Sequence, residues 1–259
     1  MDFVTVNAII SVAIWAAFIA CVGIGRALGK RRLAAHPDSS NTGLGVMDGV
    51  VYALLGLVLA FTFNGAAERT FARRAQVGNE VNVIGTAYLR IDVLPPAVQP
   101  EVREMFRRYL GLRRQAIQAL PDVARVRSLL NEAAAVQTQI WQRAVASTTN
   151  GVSSPTTMLL LPALNAMIDE QTTAQVTMMQ HPPAEIELVL VGLILLAGLL
   201  AGESTAEAKR TSRVHIVVIG FLLAAMFFLI RDLERPMIGL IRLEDAKVLV
   251  EDLEKMMAK

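Results

Sequence analysis

Four residues in one short stretch of the chain, Phe61, Asn64, Glu68 and Phe71, have side chains that could together handle small ions. Their spacings of three, four and three residues place them near one face of an α-helix. An aromatic ring followed by an amide and a carboxylate suits a constriction in an ion pathway. The same stripe equally suits a packed seam between subunits, because the two small residues after Asn64 allow another backbone to approach closely.

Asn64 lies near the end of an uncharged apolar run, residues 49–67. An unpaired amide in hydrocarbon is costly, so Asn64 either bonds to a partner helix or lines a water-filled site. Glu68 and Arg69 stand where the run ends, and they could equally serve only as interface anchors. Arg73 has no acidic residue three or four positions away, so we expect its strong partner on another helix.

A second charged group follows the last apolar run, in the segment Ile230–Gly239. Arg231, Asp232 and Arg235 stand there, together with Glu234. This segment and the Glu68/Arg69 exit are expected on the same side of the membrane, so we expect the two groups to pair and pack. The alternative is a charged vestibule for ions.

The sequence has no motif for enzymatic chemistry, neither a Walker loop nor a dinucleotide fingerprint, a serine elbow or a His/Glu metal spacing. The glycines of Gly43–Gly49 follow no strand, which disfavours a nucleotide loop. One cysteine, Cys21, and three widely separated histidines predict neither disulfides nor a metal site. The arginine-rich face of residues 103–114 is typical of a solvated helix and lacks the aromatics of nucleic-acid platforms. We therefore expect no enzyme, no cofactor and no nucleic-acid partner.

The composition and four apolar runs predict an integral membrane protein. The chain is 54% hydrophobic, above the roughly 45–50% of soluble domains. The first two runs reach the length of about 17–25 residues that a spanning helix needs, and the last two are short enough to require snorkelling charges. The third run could alternatively be a buried core helix, but the fourth follows it like the return limb of a hairpin. The runs cover residues 3–25, 49–67, 188–202 and 214–230.

The fold class predicted is all-α, with four transmembrane helices in the lipid bilayer and a helical extramembrane bundle between spans two and three. The predicted organisation is a first hairpin (1–67, spans about 3–25 and 46–67), a helical domain (68–183), a second hairpin (184–235, spans about 186–202 and 214–231) and an amphipathic C-terminal tail (236–259).

A heptad seam continues directly from the second span and stops at Leu94-Pro95-Pro96, where proline ends the helix. The pattern predicts one long helix over residues 46–93, about 70 Å at ~1.5 Å per residue. Such a seam also favours a homo-oligomer. Its members are Val77, Val81, Ile84, Tyr88 and Ile91.

Two predicted loops, Arg26–Gly43 and Glu203–Arg213, lie on the same side of the membrane and are rich in basic residues. The positive-inside rule places these loops in the cytoplasm. It follows that the N-terminus, the helical domain and the tail lie outside, in a protein of the cell (inner) membrane.

Three segments, "VVYALLGLVLAFTFNGAAER", "NEVNVIGTAYLRIDVLPP" and "RDLERPMIG", resemble the bestrophin-like family of bacterial membrane proteins. The resemblance runs over nearly the whole chain and implies kinship with bestrophins, which are pentameric anion channels with an aromatic-lined neck on the second span. It implies that Phe61, Asn64 and Phe71 line a pore. It also implies a cytoplasmic helical region, opposite to the charge count.

The function favoured by the residues and the resemblance is a homo-oligomeric, anion-conducting pore for small inorganic ions. We expect its gate near Phe61 and Asn64. Glu68 and Arg69 are expected to shape the electrostatic field at the mouth of the pore. The alternative is a non-conducting scaffold or sensor, in which the polar bundle binds a partner and the long helix transmits its state.

Overall fold

The computed structural model describes residues 1–36, 44–149, 154–207, 213–241 and 244–258. Over these ranges the chain is helical without any β-strand, which confirms the predicted all-α class. A short 3-10 turn, Arg90–Val93, directly continues the second helix. The α-helices of the described ranges are α1 (Phe3–Ala35), α2 (Leu44–Leu89), α3 (Gln99–Gln118), α4 (Val123–Thr149), α5 (Ser154–Met179), α6 (Ala184–Ser204), α7 (Arg213–Leu233) and α8 (Glu244–Ala258).

The helices belong to two compact units. The first, called the membrane unit below, comprises Met1–Arg69 and His181–Ile241, and the second, the polar unit, comprises Thr70–Gln180 and Arg242–Lys259. Four helices, α1, α2, α6 and α7, are long and apolar enough to cross a bilayer. This confirms the four predicted spans, and the chain is a multi-pass membrane protein.

The structure corrects one predicted loop. Residues Arg26–Gly43 are predicted as a loop, but α1 continues to Ala35, while residues 37–43 lie outside the described part of the chain. The stretch "RALGKRRLAA" consists mostly of strong helix formers and contains no proline, so nothing in it ends the helix. Its basic side chains can reach the membrane surface from the last helical turns.

α1 and α6 touch backbone to backbone. A Cβ built on Gly25 would lie 1.9 Å from the carbonyl oxygen of Leu199, and one on Gly202 would lie 2.1 Å from that of Val22. Small residues allow this close approach, which is how many membrane helices gain packing contacts without a hydrophobic driving force between them. This contact fixes the second hairpin against the first.

The polar unit encloses its own apolar core. Tyr109 is fully buried there, and its hydroxyl donates to Gln171 Oε1 at 3.4 Å. Burial raises the pKa of Tyr109, so the hydroxyl stays protonated. The best-buried large side chains of this core are Ile91, Phe106, Tyr109, Leu110, Ile140, Leu160, Leu164, Met167 and Met257.

The predicted heptad seam on α2 packs inside this core. Ile84, Tyr88 and Ile91 are buried among residues of the same chain, and Val81 packs against them. The seam is therefore not evidence for a homo-oligomer, although the sequence suggested that it was. Its apolar residues are already covered by the chain itself, so any contact between copies must use another surface.

The C-terminal helix α8 docks onto the polar unit through Leu253 and Met257, which are buried. The hydroxyl of Tyr88 and Nε of Arg107 both donate to the carbonyl oxygen of Met257, at 3.0 and 3.1 Å. These two bonds satisfy a carbonyl at the helix end that has no partner within the helix.

Candidate functional site

The face of α2 that carries Phe61, Asn64, Glu68 and Phe71, called the α2 stripe below, is exposed in the single chain. Phe61 is 68% exposed and Phe71 is 64% exposed, and Asn64 and Glu68 are also exposed. The four residues lie in one continuous helix of 46 residues, so their spacing does place them near one face. That they line an ion pathway stays a prediction.

Asn64 and Glu68 bond to each other along the stripe, since Nδ2 of the amide donates to Oε1 of the carboxylate at 2.8 Å. The four-residue spacing puts the two side chains one helical turn apart. An amide offers two N–H groups and an oxygen, so this bond uses only part of what Asn64 can bind. The bond also draws the carboxylate of Glu68 toward the amide.

α2 buries less of its apolar surface within the chain than the other spans do. Only 6% of its apolar window is buried, against 22–28% for α1, α6 and α7. Most of this apolar stretch of α2 therefore faces lipid, water or further copies of the chain.

Arg69 follows the stripe and forms a close ion pair. Its Nε and Nη2 both donate to Oε1 of Glu234, at 2.8 and 2.5 Å, and the Glu234 side chain is only 6% exposed. The pairing between the two charged exits that the sequence predicts is thus present for these two residues. Arg73, in the polar unit, donates from Nη2 to the carbonyl oxygen of Gln180 at 2.5 Å, a backbone partner just after the end of α5, whereas the sequence predicts a partner on another helix.

Asp232 is buried and binds the backbone of the turn that follows α7. It is 1% exposed, and its two carboxylate oxygens accept the backbone N–H groups of Leu240 and Ile241 at 2.8 and 2.9 Å. Charge-assisted bonds of this kind are strong and directional. Asp232 therefore holds the turn that follows α7 and does not face a solvent-filled mouth.

Arg231 and Arg235 remain at the surface of the same region. Nε of Arg231 lies 3.6 Å from Oε2 of Glu187, and its guanidinium lies over the Phe227 ring at 5.8 Å from the centroid. Nη1 of Arg235 contacts Nε2 of His181 at 3.3 Å. The two arginines thus have looser partners than Arg69 has.

A polar pocket of about 220 Å³ lies among these charges. Residues Arg69, His181, Glu234 and Arg235 are called the exit cluster below, and the last three line the pocket. Its wall also includes Phe3, Glu187 and Arg231. Within the described part of the chain, no group of three His, Cys, Asp or Glu side chains is placed to hold a metal ion.

The family is shown by a match that covers most of the chain. The bestrophin-like domain matches residues 13–248. The chain belongs to the bestrophin-like family. This match confirms the resemblance to the family that was based on three sequence segments of this bestrophin-like protein.

Solved structures with the same fold include crystal structures of a bacterial bestrophin homologue from Klebsiella pneumoniae. One mutant of that homologue is 13% identical, with a TM-score of 0.71 over 96% of this chain and 99% of that chain. Another structure of it is 14% identical, with a TM-score of 0.71 over 95% and 96%. A further mutant is 14% identical, with a TM-score of 0.72 over 95% and 97%. At this identity the likeness shows the bestrophin fold, and no curated protein matches the chain.

Sequence reasoning did not single out two residues that line the polar pocket of this bestrophin-like protein, His181 and Glu187. His181 stands in "HPP", just before α6, and its contacts lie more than 50 residues further along the chain. The available signal is its position beside a span, because one of only three histidines in the chain stands at a membrane boundary.

Proposed function

We propose that this bestrophin-like protein forms a homo-oligomeric channel, a pentamer like the bestrophins it resembles, that conducts small inorganic anions. Membership of the family supports a channel at the family level, and not an enzyme. The constriction lies on α2 at Phe61 and Asn64, and Glu68 and Arg69 shape the field at its end.

The observation that carries the proposal is the exposure of Asn64 on an otherwise apolar stretch of α2. An amide facing acyl chains costs roughly 2–7 kcal/mol without partners. The bond to Glu68 uses only part of what Asn64 can bind, and the carboxylate of Glu68 is itself costly in hydrocarbon. The chain itself does not cover this face. Water, an ion or another copy of the chain must therefore meet the α2 stripe in the assembled protein.

The residues of the stripe suit an anion in a narrow passage. The edge of a phenyl ring carries partial positive charge, so Phe61 can present ring edges to an anion while excluding bulk water. Asn64 adds amide N–H donors next to it. Glu68 has the same sign as an anion and opposes its passage, but its carboxylate accepts a bond from Asn64 at 2.8 Å, which draws one of its oxygens toward the amide.

Between Ala75 and Thr86 the same face of α2 stays exposed and uncharged, and the exposed apolar Leu89 follows on it. At about 100° per residue, its exposed residues fall within roughly 80° of arc around the stripe. Small and uncharged polar side chains there suit a wet pathway, and they do not bury an apolar seam. These residues are Ala75, Asn79, Asn82 and Thr86.

Flux through liposomes tests the pore. We expect the purified protein to pass chloride in preference to sodium. Phe61→Ala should raise the chloride flux, because it widens the constriction. Asn64→Leu should lower the chloride flux about tenfold, which corresponds to a barrier change of ~1.4 kcal/mol. The matched control is Phe221→Ala, since Phe221 is an equally exposed aromatic (60%) on the span α7. The control should leave the flux unchanged.

Three results would contradict parts of the proposal. Sodium flux exceeding chloride flux would overturn the anion assignment. Variants at Phe61 and Asn64 that conduct like the parent would overturn the constriction. A monomer, or an oligomer that passes no ion, would favour the scaffold or sensor function instead.

We also propose that the polar unit lies outside the cytoplasm of a cell (inner) membrane, following the basic residues at the other end of the spans. The extension of α1 supports this, because it holds Arg26, Lys30, Arg31 and Arg32 in one short segment. In a background with Cys21→Ser, an impermeant thiol reagent applied to spheroplasts should label Ser128→Cys and not Ala35→Cys. Both positions are exposed, and the reverse labelling would place the polar unit in the cytoplasm.

A further inference from the structure

His181 lies between two charged groups of opposite sign in the membrane unit. Its Nε2 is 3.3 Å from Nη1 of Arg235, and its Nδ1 is 3.7 Å from Oε2 of Glu234. A guanidinium can only donate, so Nε2 accepts this contact when the ring is neutral, and the ring proton sits on Nδ1, facing Glu234. The side chain is 34% exposed and lines the polar pocket, so protons reach it from water.

Several elements surround the pocket, and most of them place a charged side chain near the ring. The contribution of α1, Phe3, is uncharged. Three arginines and two glutamates are among the charged groups near the ring. The charged groups are Arg69 of α2, acting through Glu234, Glu187 of α6, Arg231 of α7, and Glu234 and Arg235 of the following turn.

A second proton on the ring changes the contacts with Arg235 and Glu234 in opposite directions. Nε2 becomes a donor that faces the donor of Arg235, and two like charges then stand at contact distance. The attraction to Glu234 grows, but Glu234 already accepts two bonds from Arg69. Arg235 is exposed, so the contact that yields is the one between Arg235 and His181.

We propose that His181 is a proton sensor, whose protonation releases Arg235 and raises the positive charge of the exit cluster. Histidine is the side chain whose charge ordinarily changes between about pH 5 and 8. The exit cluster includes Arg69, which directly follows Glu68 of the α2 stripe in the chain. Acidification therefore makes this end of the stripe more attractive to anions, a regulation that rests on the proposed channel function.

A melting experiment tests the sensor without requiring conduction. Between about pH 8 and pH 5.5, we expect the full-length protein in detergent to lose about 2–4 °C more in melting temperature than His181→Gln loses. Glutamine can replace the acceptor but cannot take up the second proton. The other two histidines supply the controls, since His36→Gln and His215→Gln should follow the parent. A His181→Gln curve that follows the parent overturns the inference.

A second variant guards against a folding defect in the first. Arg235→Gln removes the charge that opposes protonation, so it should also flatten the pH dependence of melting. Nitrogen NMR of histidine-labelled protein should show that Arg235→Gln moves the titration of one of the three imidazoles to higher pH. Three unchanged titration curves would overturn the inference.

Chloride flux measured at the same two pH values tests the regulation. We expect the ratio of flux at pH 5.5 to flux at pH 8 to exceed one severalfold in the parent, and to fall close to one in His181→Gln. A parent that conducts at both pH values with a ratio of one overturns the regulation. A parent that passes no chloride at either pH refutes the channel proposal, and the melting comparison still decides the role of His181.

Discussion

At the residue scale, two ion pairs in the membrane unit differ in burial. They therefore differ in how much they contribute to the stability of the fold. Arg69 and Glu234 meet at 2.5 Å, with the glutamate side chain 6% exposed. Arg231 and Glu187 are 3.6 Å apart, and the glutamate is 40% exposed. Water and salt screen the second pair, whereas the first pair holds α2 against the turn after α7.

Glu234→Gln should lower stability by about 1–3 kcal/mol, because it leaves a mostly covered guanidinium without its carboxylate. Glu187→Gln is the matched control, and it should lower stability by less than about 1 kcal/mol. Denaturant titration of the purified protein in mixed micelles measures both. Equal losses in the two variants would contradict the ranking by burial.

Single residues were predictable from the sequence where the signal was local. Asn64, Glu68 and Phe71 could be placed on one face with Phe61 because helical spacing alone determines it. The role of Asp232 in holding a turn could not be foreseen, since its partners are backbone groups eight and nine residues away in an irregular segment. His181 was missed because its contacts depend on the packing of distant segments.

At the scale of whole helices, small residues determine how closely α1 and α6 pack. Gly25 and Gly202 sit where any side chain would strike backbone of the facing helix. Backbone cannot rotate away as a side chain can, so an added methyl group forces the helices apart.

Gly25→Ala should therefore destabilise the membrane unit by about 1–3 kcal/mol. Gly23→Ala is the control, because a Cβ there meets nothing within 4 Å, and alanine is the better helix former. Melting temperature and the yield of folded protein in detergent report the difference. Loss of folding in Gly23→Ala, or full tolerance of Gly25→Ala, would contradict the close contact.

The elements themselves follow from apolar runs and prolines. For this reason the spans could be predicted, and so could the end of the 3-10 turn after α2, just before Leu94. Two element-scale expectations failed for physical reasons. Basic residues at Arg26–Ala35 looked like a loop, yet they extend α1 because they are strong helix formers. The seam with Ile84 and Tyr88 looked like a contact between copies, but a period of hydrophobic residues does not tell which helix covers it.

The whole molecule combines a membrane unit and a polar unit, with α2 belonging to both. The bestrophin-like domain over residues 13–248 spans parts of both units, and the chain shares the fold of the Klebsiella pneumoniae homologue. The central claim at this scale is that the α2 stripe faces water inside an assembly of copies. Everything proposed about conduction and its regulation depends on that claim.

Cysteine accessibility with a hydrophilic thiol reagent tests it most directly, because Cys21 is the chain's one native cysteine and Cys21→Ser removes it. In liposomes, Asn64→Cys in that background should react with the reagent and lose its chloride flux as it does so. Phe221→Cys, at an exposed position on the span α7, should remain unreactive. An Asn64→Cys protein that the reagent cannot reach, or that reacts without any change in flux, would contradict the account.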